Sequence, residues 1–205
     1  MKIHIMEKNR DQIDLIQKIL RSDKTVFSFK DLSLMSRESS PDLKSKLNYY
    51  VKKGYLYSIR RGVYAKDKHY DKFELATKIY TPSYISFETV LARSGVIFQY
   101  YRQIFVASYK STNITCDGQE YNFRKLKYDI LINNIGIESN DKYSIASSER
   151  AFIDLLYLNK SYHFDNLSAL NWDKIYTILP IYKNKRLEAS INKYYQAAKD
   201  ERNNK

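Results

Sequence analysis

The chain has 205 residues, 43% of them hydrophobic, with 35 Lys and Arg against 23 Asp and Glu and a formal net charge of +12. That length allows one large domain or two small ones around a real core, and 5 Gly and 3 Pro exclude a collagen-like or low-complexity chain. No apolar run approaches the roughly 20 residues of a membrane-spanning helix, the first residues lack the apolar core of a signal peptide, and the single Cys116 excludes an intramolecular disulfide and suits a reducing, cytoplasmic interior.

The spacing of Ile13, Ile16, Ile19 and Leu20 predicts a helix from Asp11 to Arg21. Val26-Phe27 reads as a short extended link, after which Ser28 is placed to cap a helix from Phe29 to about Met35. A third helix is expected to start at the cap Ser40, with Pro41 in its first turn and Gly54 as its stop. Its apolar stripe is Leu43, Leu47, Tyr50 and Val51. The opposite face carries Ser45, Asn48, Tyr49 and Lys52, flanked by Lys44, Lys46 and Lys53. Amide, hydroxyl and ammonium groups opposite a buried stripe suit a helix that enters a major groove.

Tyr55 to Ile59 alternates as a strand, Arg60-Arg61-Gly62 turns it, and Val63-Tyr64-Ala65 returns. A basic hairpin directly after such a helix reads as the wing of a winged helix-turn-helix over residues 1–70. Lys44, Ser45 and Asn48 are then the candidates for base edges, and Lys52, Lys53, Arg60 and Arg61 the phosphate anchors. The charge is distributed accordingly: residues 1–70 carry +8 and residues 71–205 carry +4. Lysines on solvated faces would give the same total without a polyanion partner, and three helices with a hairpin also occur in modules that bind only protein.

Residues 71–205 read as a mixed α/β domain, making the whole chain α+β. A helix is expected over Asp71–Tyr80, and Ser86 is placed to cap another that Gly95 stops. Strands are expected over Gln103–Ser108 and Asn113–Cys116, with Asp117-Gly118 as a hairpin turn into Glu120–Phe123. Further strands are expected at Tyr128–Ile132, Gly136–Glu138 and Tyr143–Ala146. Ser147 opens a helix bearing Ala151, Phe152, Leu155 and Leu156, and helices over Trp172–Ile181 and Arg186–Ala197 follow.

Catalytic chemistry has little support in these residues. Cys116 stands alone at a strand end, His4, His69 and His163 lack metal-ligand spacing, and no phosphate-cradling glycine loop is present. No catalytic, cofactor or metal site is expected, and Glu149-Arg150 reads as a local ion pair or a contact to the sheet.

Three segments carry a resemblance in order along the chain: Val51–Leu56 with Arg61–Tyr64, Pro82–Leu91 with Gly95, and Ile145–Asp154. Together they resemble the AbiEi family, antitoxins of type IV toxin–antitoxin (abortive infection) systems, over about residues 10–195. The family pattern often has Pro where Ser148 stands. The resemblance implies a winged helix-turn-helix that represses its own operon at inverted repeats in double-stranded DNA. It also implies a C-terminal antitoxin domain that counters a nucleotidyltransferase-like toxin without requiring a stable complex. The alternatives are a winged-helix regulator without a toxin and a protein-interaction module.

Overall fold

The computed structural model of the chain describes residues 15–203 and is an α+β structure with two sheets. It divides into two compact units between Ile79 and Tyr80.

The first unit runs as a helix over residues 15–21 (α1), a strand Val26–Ser28 (β1), and helices Phe29–Met35 (α2) and Ser40–Lys52 (α3). The hairpin strands Tyr57–Arg60 (β2) and Val63–Ala65 (β3) and a helix Lys72–Ile79 (α4) complete it. Residues 11–14 of the expected first helix lie outside the described residues. Within α1, Leu15 and Ile19 face the core, whereas Leu20, expected on the apolar face, is 58% exposed. Val26-Phe27 is a true strand that pairs antiparallel with β3, giving the sheet order β1-β3-β2. Ser28 caps α2 through a capping box with Asp31. The core joins Leu15, Ile19, Phe27, Leu32, Leu43, Leu47, Tyr50 and Leu56. Each such side chain contributes roughly 1.5–3 kcal/mol on burial.

Helix α4 belongs to this unit, not to the segment after residue 70. Its buried Glu74 accepts from both the amide and the hydroxyl of Thr25, each at 2.7 Å, and Lys78 reaches Asp31 at 2.9 Å. These polar ties draw the compact boundary past the composition change at residue 70.

The second unit is built on a six-stranded mixed sheet. Its strands are Ser83–Ile85 (β4), Ile104–Ser108 (β5), Thr112–Cys116 (β6), Gln119–Lys125 (β7), Ile137–Ser139 (β8) and Ser144–Ala146 (β9), in the order β6-β7-β5-β4-β9-β8. Its helices are Glu88–Arg93 (α5), Tyr128–Leu131 (α6), Ser148–Leu158 (α7), Trp172–Ile178 (α8) and Lys185–Asn203 (α9). Short 3-10 turns occupy Leu167–Ala169 and Leu179–Tyr182, so the helix expected to reach Ile181 tightens at Leu179, beside Pro180. Tyr128–Ile132, expected as a strand, instead forms the single turn α6, its backbone bonds closed locally by the Leu131 amide on the Lys127 carbonyl at 2.9 Å and the Ile132 amide on the Tyr128 carbonyl at 3.0 Å.

Candidate nucleic-acid interface

Helix α3 starts one residue earlier than its sequence implies. Ser39, not Ser40, is the cap: its hydroxyl accepts from the Asp42 amide and donates to the Asp42 carboxylate at 2.7 Å. Leu43, Leu47 and Tyr50 are buried, so the face expected to be outward is outward at Lys44, Ser45, Asn48, Tyr49, Lys52 and Lys53. Burial first, then the charge of Glu38, pushes the Tyr50 phenol up to about 12, so it stays neutral in the core.

Lys46 corrects that list. It is buried and pairs with Glu38 in the turn before α3. The physical reason is helical phase: three residues after Leu43 and four before Tyr50 is the buried stripe itself. An ammonium there needs a carboxylate partner, and Glu38 supplies it.

The remaining outward groups differ in how much they are already engaged. The Ser45 hydroxyl donates back to the Pro41 carbonyl at 3.1 Å, leaving its lone pairs outward. Lys44 places Nζ 5.8 Å from the centre of the Phe29 ring, and Lys53 does the same over Tyr49 at 5.9 Å. The exposed Asn48 amide has no hydrogen-bond partner among the described residues. It presents a donor and an acceptor side by side, the pattern that reads an adenine edge.

The hairpin carries the other two candidates, and they are not equivalent. Ser58 opposes Tyr64 while Arg60 opposes Val63, so Ile59 is an extra residue in β2. This bulge leaves Arg60 only half exposed, with Nη1 buried and without a hydrogen-bond partner among the described residues. Arg61 is exposed at the turn. The regular alternation expected for Tyr55–Ile59 gave no sign of the bulge. The tip is held by the Phe29 amide, which donates to the Gly62 carbonyl at 2.8 Å.

The second unit contains a polar centre that goes well beyond the sheet contact expected of Arg150. Arg150 and Asp154 on α7 are both fully buried and four residues apart. Asp154 accepts from Tyr182 at 2.6 Å, Ser86 at 2.8 Å and Tyr84 at 2.9 Å. Arg150 donates to Tyr84 at 3.0 Å and to the carbonyls of Ile130 and Ile135 at 2.7 and 2.8 Å. Burial works against the Arg150 charge, but Tyr182, Asp154 and Tyr84 outweigh it and hold the group above its ordinary value. Burial pushes the Asp154 carboxyl up, against the pull of Arg150 and the three hydroxyls. The hydroxyl of Ser86, expected to cap α5, is thus committed to Asp154, and α5 begins after Phe87 with no side-chain cap. The i,i+4 spacing of two opposite charges, Arg150 and Asp154, within an otherwise largely apolar helix was the available signal.

This centre is fully buried and hydrogen bonded from several elements, so it ties α7 to β4, to Tyr182 and to the segment around α6. Glu88 and Arg124 form a second, bidentate pair at 2.8 and 2.9 Å, with the guanidinium 4.4 Å from the Phe105 ring centre. Glu149 accepts from the Asn171 amide at 3.2 Å, ahead of α8. Among the described residues no group of three or more His, Cys, Asp or Glu is placed to hold a metal, and no helix is long and apolar enough to cross a membrane. No protein-family model matches the chain, and no curated protein matches it.

Proposed function

We propose that the chain is a DNA-binding protein, not an enzyme: a winged helix-turn-helix autorepressor and antitoxin of a type IV toxin–antitoxin operon, countering a nucleotidyltransferase-like toxin in the cytoplasm. The observation that carries the DNA reading is the outward face of α3. Asn48, the Ser45 lone pairs, Lys44 and Lys52 share one exposed surface, and Phe29 links its Lys44 end to the hairpin tip. The element order helix–strand–helix–helix–strand–strand, with β1 against β3, is the arrangement a winged helix uses. Arg60 adds a further argument: swinging out to a phosphate oxygen would satisfy the N–H that has no acceptor now. The antitoxin role rests on the motif resemblance alone.

A protein-interaction module is the second reading, favoured by Phe98 and Tyr100, which stand 72% and 88% exposed on the segment after α5. Selection of bound fragments from the source genome with the full-length protein separates the two. Enrichment of one inverted repeat upstream of this gene, with affinity falling steeply between two salt concentrations, supports the repressor. Uniform salt-sensitive weak binding, or none, overturns it.

A further inference from the structure

A cleft of about 330 Å³ opens between the edge strand β8 and helix α8. Ile135, Ile137 and Ile178 give it apolar walls, and Glu138 and Lys174 bring opposite charges to it. That volume is at the small end of ligand sites, and an apolar lining with a few polar groups is their usual make-up. Gly136 closes one side with a φ of +76°. A Cβ there would meet Ile178 Cδ1 at 2.8 Å and Arg150 Cβ at 3.0 Å, so bare backbone lies directly against α8 and α7.

The polar groups of the cleft are donors and acceptors that the chain itself leaves unused. Lys174 and Glu138 are exposed, and neither side chain pairs with the other or with any described residue. The Ser147 hydroxyl, also in the lining, accepts from the Arg150 amide at 3.2 Å, so its own proton is free for a second acceptor. The Thr177 hydroxyl donates to the Asp173 carbonyl at 2.9 Å, which leaves its lone pairs over. The backbone adds one acceptor. The Asn140 amide donates to the Tyr143 carbonyl and the Ser147 amide to the Gly136 carbonyl, so the bonded pairs of β8 with β9 fall at residues 136, 138 and 140. Ile137 lies between them, its carbonyl directed away from β9 and its amide taken by the Asn134 carbonyl. That carbonyl has no hydrogen-bond partner among the described residues.

We infer that this cleft binds a small zwitterion with an apolar body, of the free amino-acid class. Two opposite charges that line one cleft without neutralising each other suit a ligand carrying the complementary pair. The ligand carboxylate takes the Lys174 ammonium and the Ser147 hydroxyl as donors. Its ammonium takes the Glu138 carboxylate and the Ile137 carbonyl as acceptors, and such charge-assisted bonds are the strong ones. The isoleucine walls receive the side chain. A plain anion would be repelled by Glu138 and a plain cation by Lys174, so the pair selects for both charges in one molecule. The site lies wholly in the second unit and is independent of the DNA reading, because it is measured without DNA.

The test is isothermal titration calorimetry of the full-length chain with L-leucine as the probe. Saturable binding of one molecule per chain is expected, nearly complete by about 10 mM for a Kd of about 1 mM. Lys174→Met and Glu138→Gln should each weaken it about tenfold. Both side chains are exposed and hold no bond within the chain, so the circular dichroism spectra should stay unchanged. Thr177→Phe, which fills the cleft, should abolish binding. Leucinamide lacks the carboxylate and isocaproate lacks the ammonium, and each should bind about tenfold more weakly than leucine. No saturable heat with L-leucine at ~10 mM, binding indifferent to the three substitutions, or equal affinity for the two truncated analogues overturns the proposal.

Discussion

The Phe29 amide and the Gly62 carbonyl are 2.8 Å apart, so the first residue of α2 and the tip of the hairpin move as one piece. The Phe29 ring lies beside Lys44 at the same time. A single residue thereby sets the spacing between the arginines of the tip and the first turns of α3. Gly62 holds φ of +76°, with room for a methyl group but a backbone that other residues adopt only under strain. Gly62→Ala is expected to cost about 1–2 kcal/mol. Urea denaturation measures the loss, and DNA affinity should fall further than stability explains as the tip shifts.

The corrected face of α3 separates affinity from stability. Arg60→Ala/Arg61→Ala should weaken binding to every sequence and reduce the slope of log K against log salt by about 2, because two phosphate contacts and their released counterions are lost. Asn48→Ala should cost about 1–3 kcal/mol at the preferred site and leave the slope unchanged. Titrations of site and random duplexes at several salt concentrations distinguish the two patterns.

Lys46→Ala should behave differently from Lys52→Ala. The first leaves Glu38 without its partner beside the core and should destabilise the unit by roughly 1–3 kcal/mol. The second removes an exposed charge and should change stability by less than about 0.5 kcal/mol while weakening DNA binding. Equal melting temperatures for the two variants would contradict the buried placement of Lys46.

Asp31 makes the first unit acid-sensitive. Burial acts to raise its carboxyl, but the Lys78 ammonium and the Ser28 hydrogen bonds outweigh burial and hold it below the ordinary value of 3.8. A depressed folded value means the contribution is complete above the unfolded value and lost as pH falls through the folded one. Asp31→Asn should therefore cost about 1–2 kcal/mol at pH 7 and flatten the decline in stability below pH 4. Denaturation curves from pH 7 down to pH 2.5 check this sign.

Arg150→Met should destabilise the second unit by about 3–5 kcal/mol, since it strands Asp154 in the core and takes the donor from two carbonyls. Adding Asp154→Leu should recover part of the loss, which a double-mutant cycle reads directly.

The parts of the fold legible in the sequence are those decided locally. Ser28 and Ser147 act as caps, Asp117-Gly118 makes its turn, and the Leu43–Leu47–Tyr50 stripe is buried. What was not legible depended on partners far along the chain. Lys46 looks like its neighbours until Glu38 is seen beside it. Ser86 looks like a cap until Asp154, 68 positions on, claims its hydroxyl. The Ile59 bulge has no mark in an alternating strand, and Asp71–Ile79 joins the first unit through Thr25. Of the proposed interface, composition showed which residue types were present and phase showed which of them face outward; phase buries Lys46, and the bulge leaves Arg60 half-buried.

Arg150 has one more consequence, for the timescale on which the protein breathes. Its guanidinium supplies donors to the carbonyls of Ile130 at the end of α6 and Ile135 in the segment that follows. That stretch looks like a surface loop, with Ile132 and Ile135 about half exposed. Lifting it away would leave a buried guanidinium with fewer acceptors, so local opening of this segment is costly. The amides of an ordinary-looking surface turn are therefore expected to exchange with the lifetime of the core beneath it.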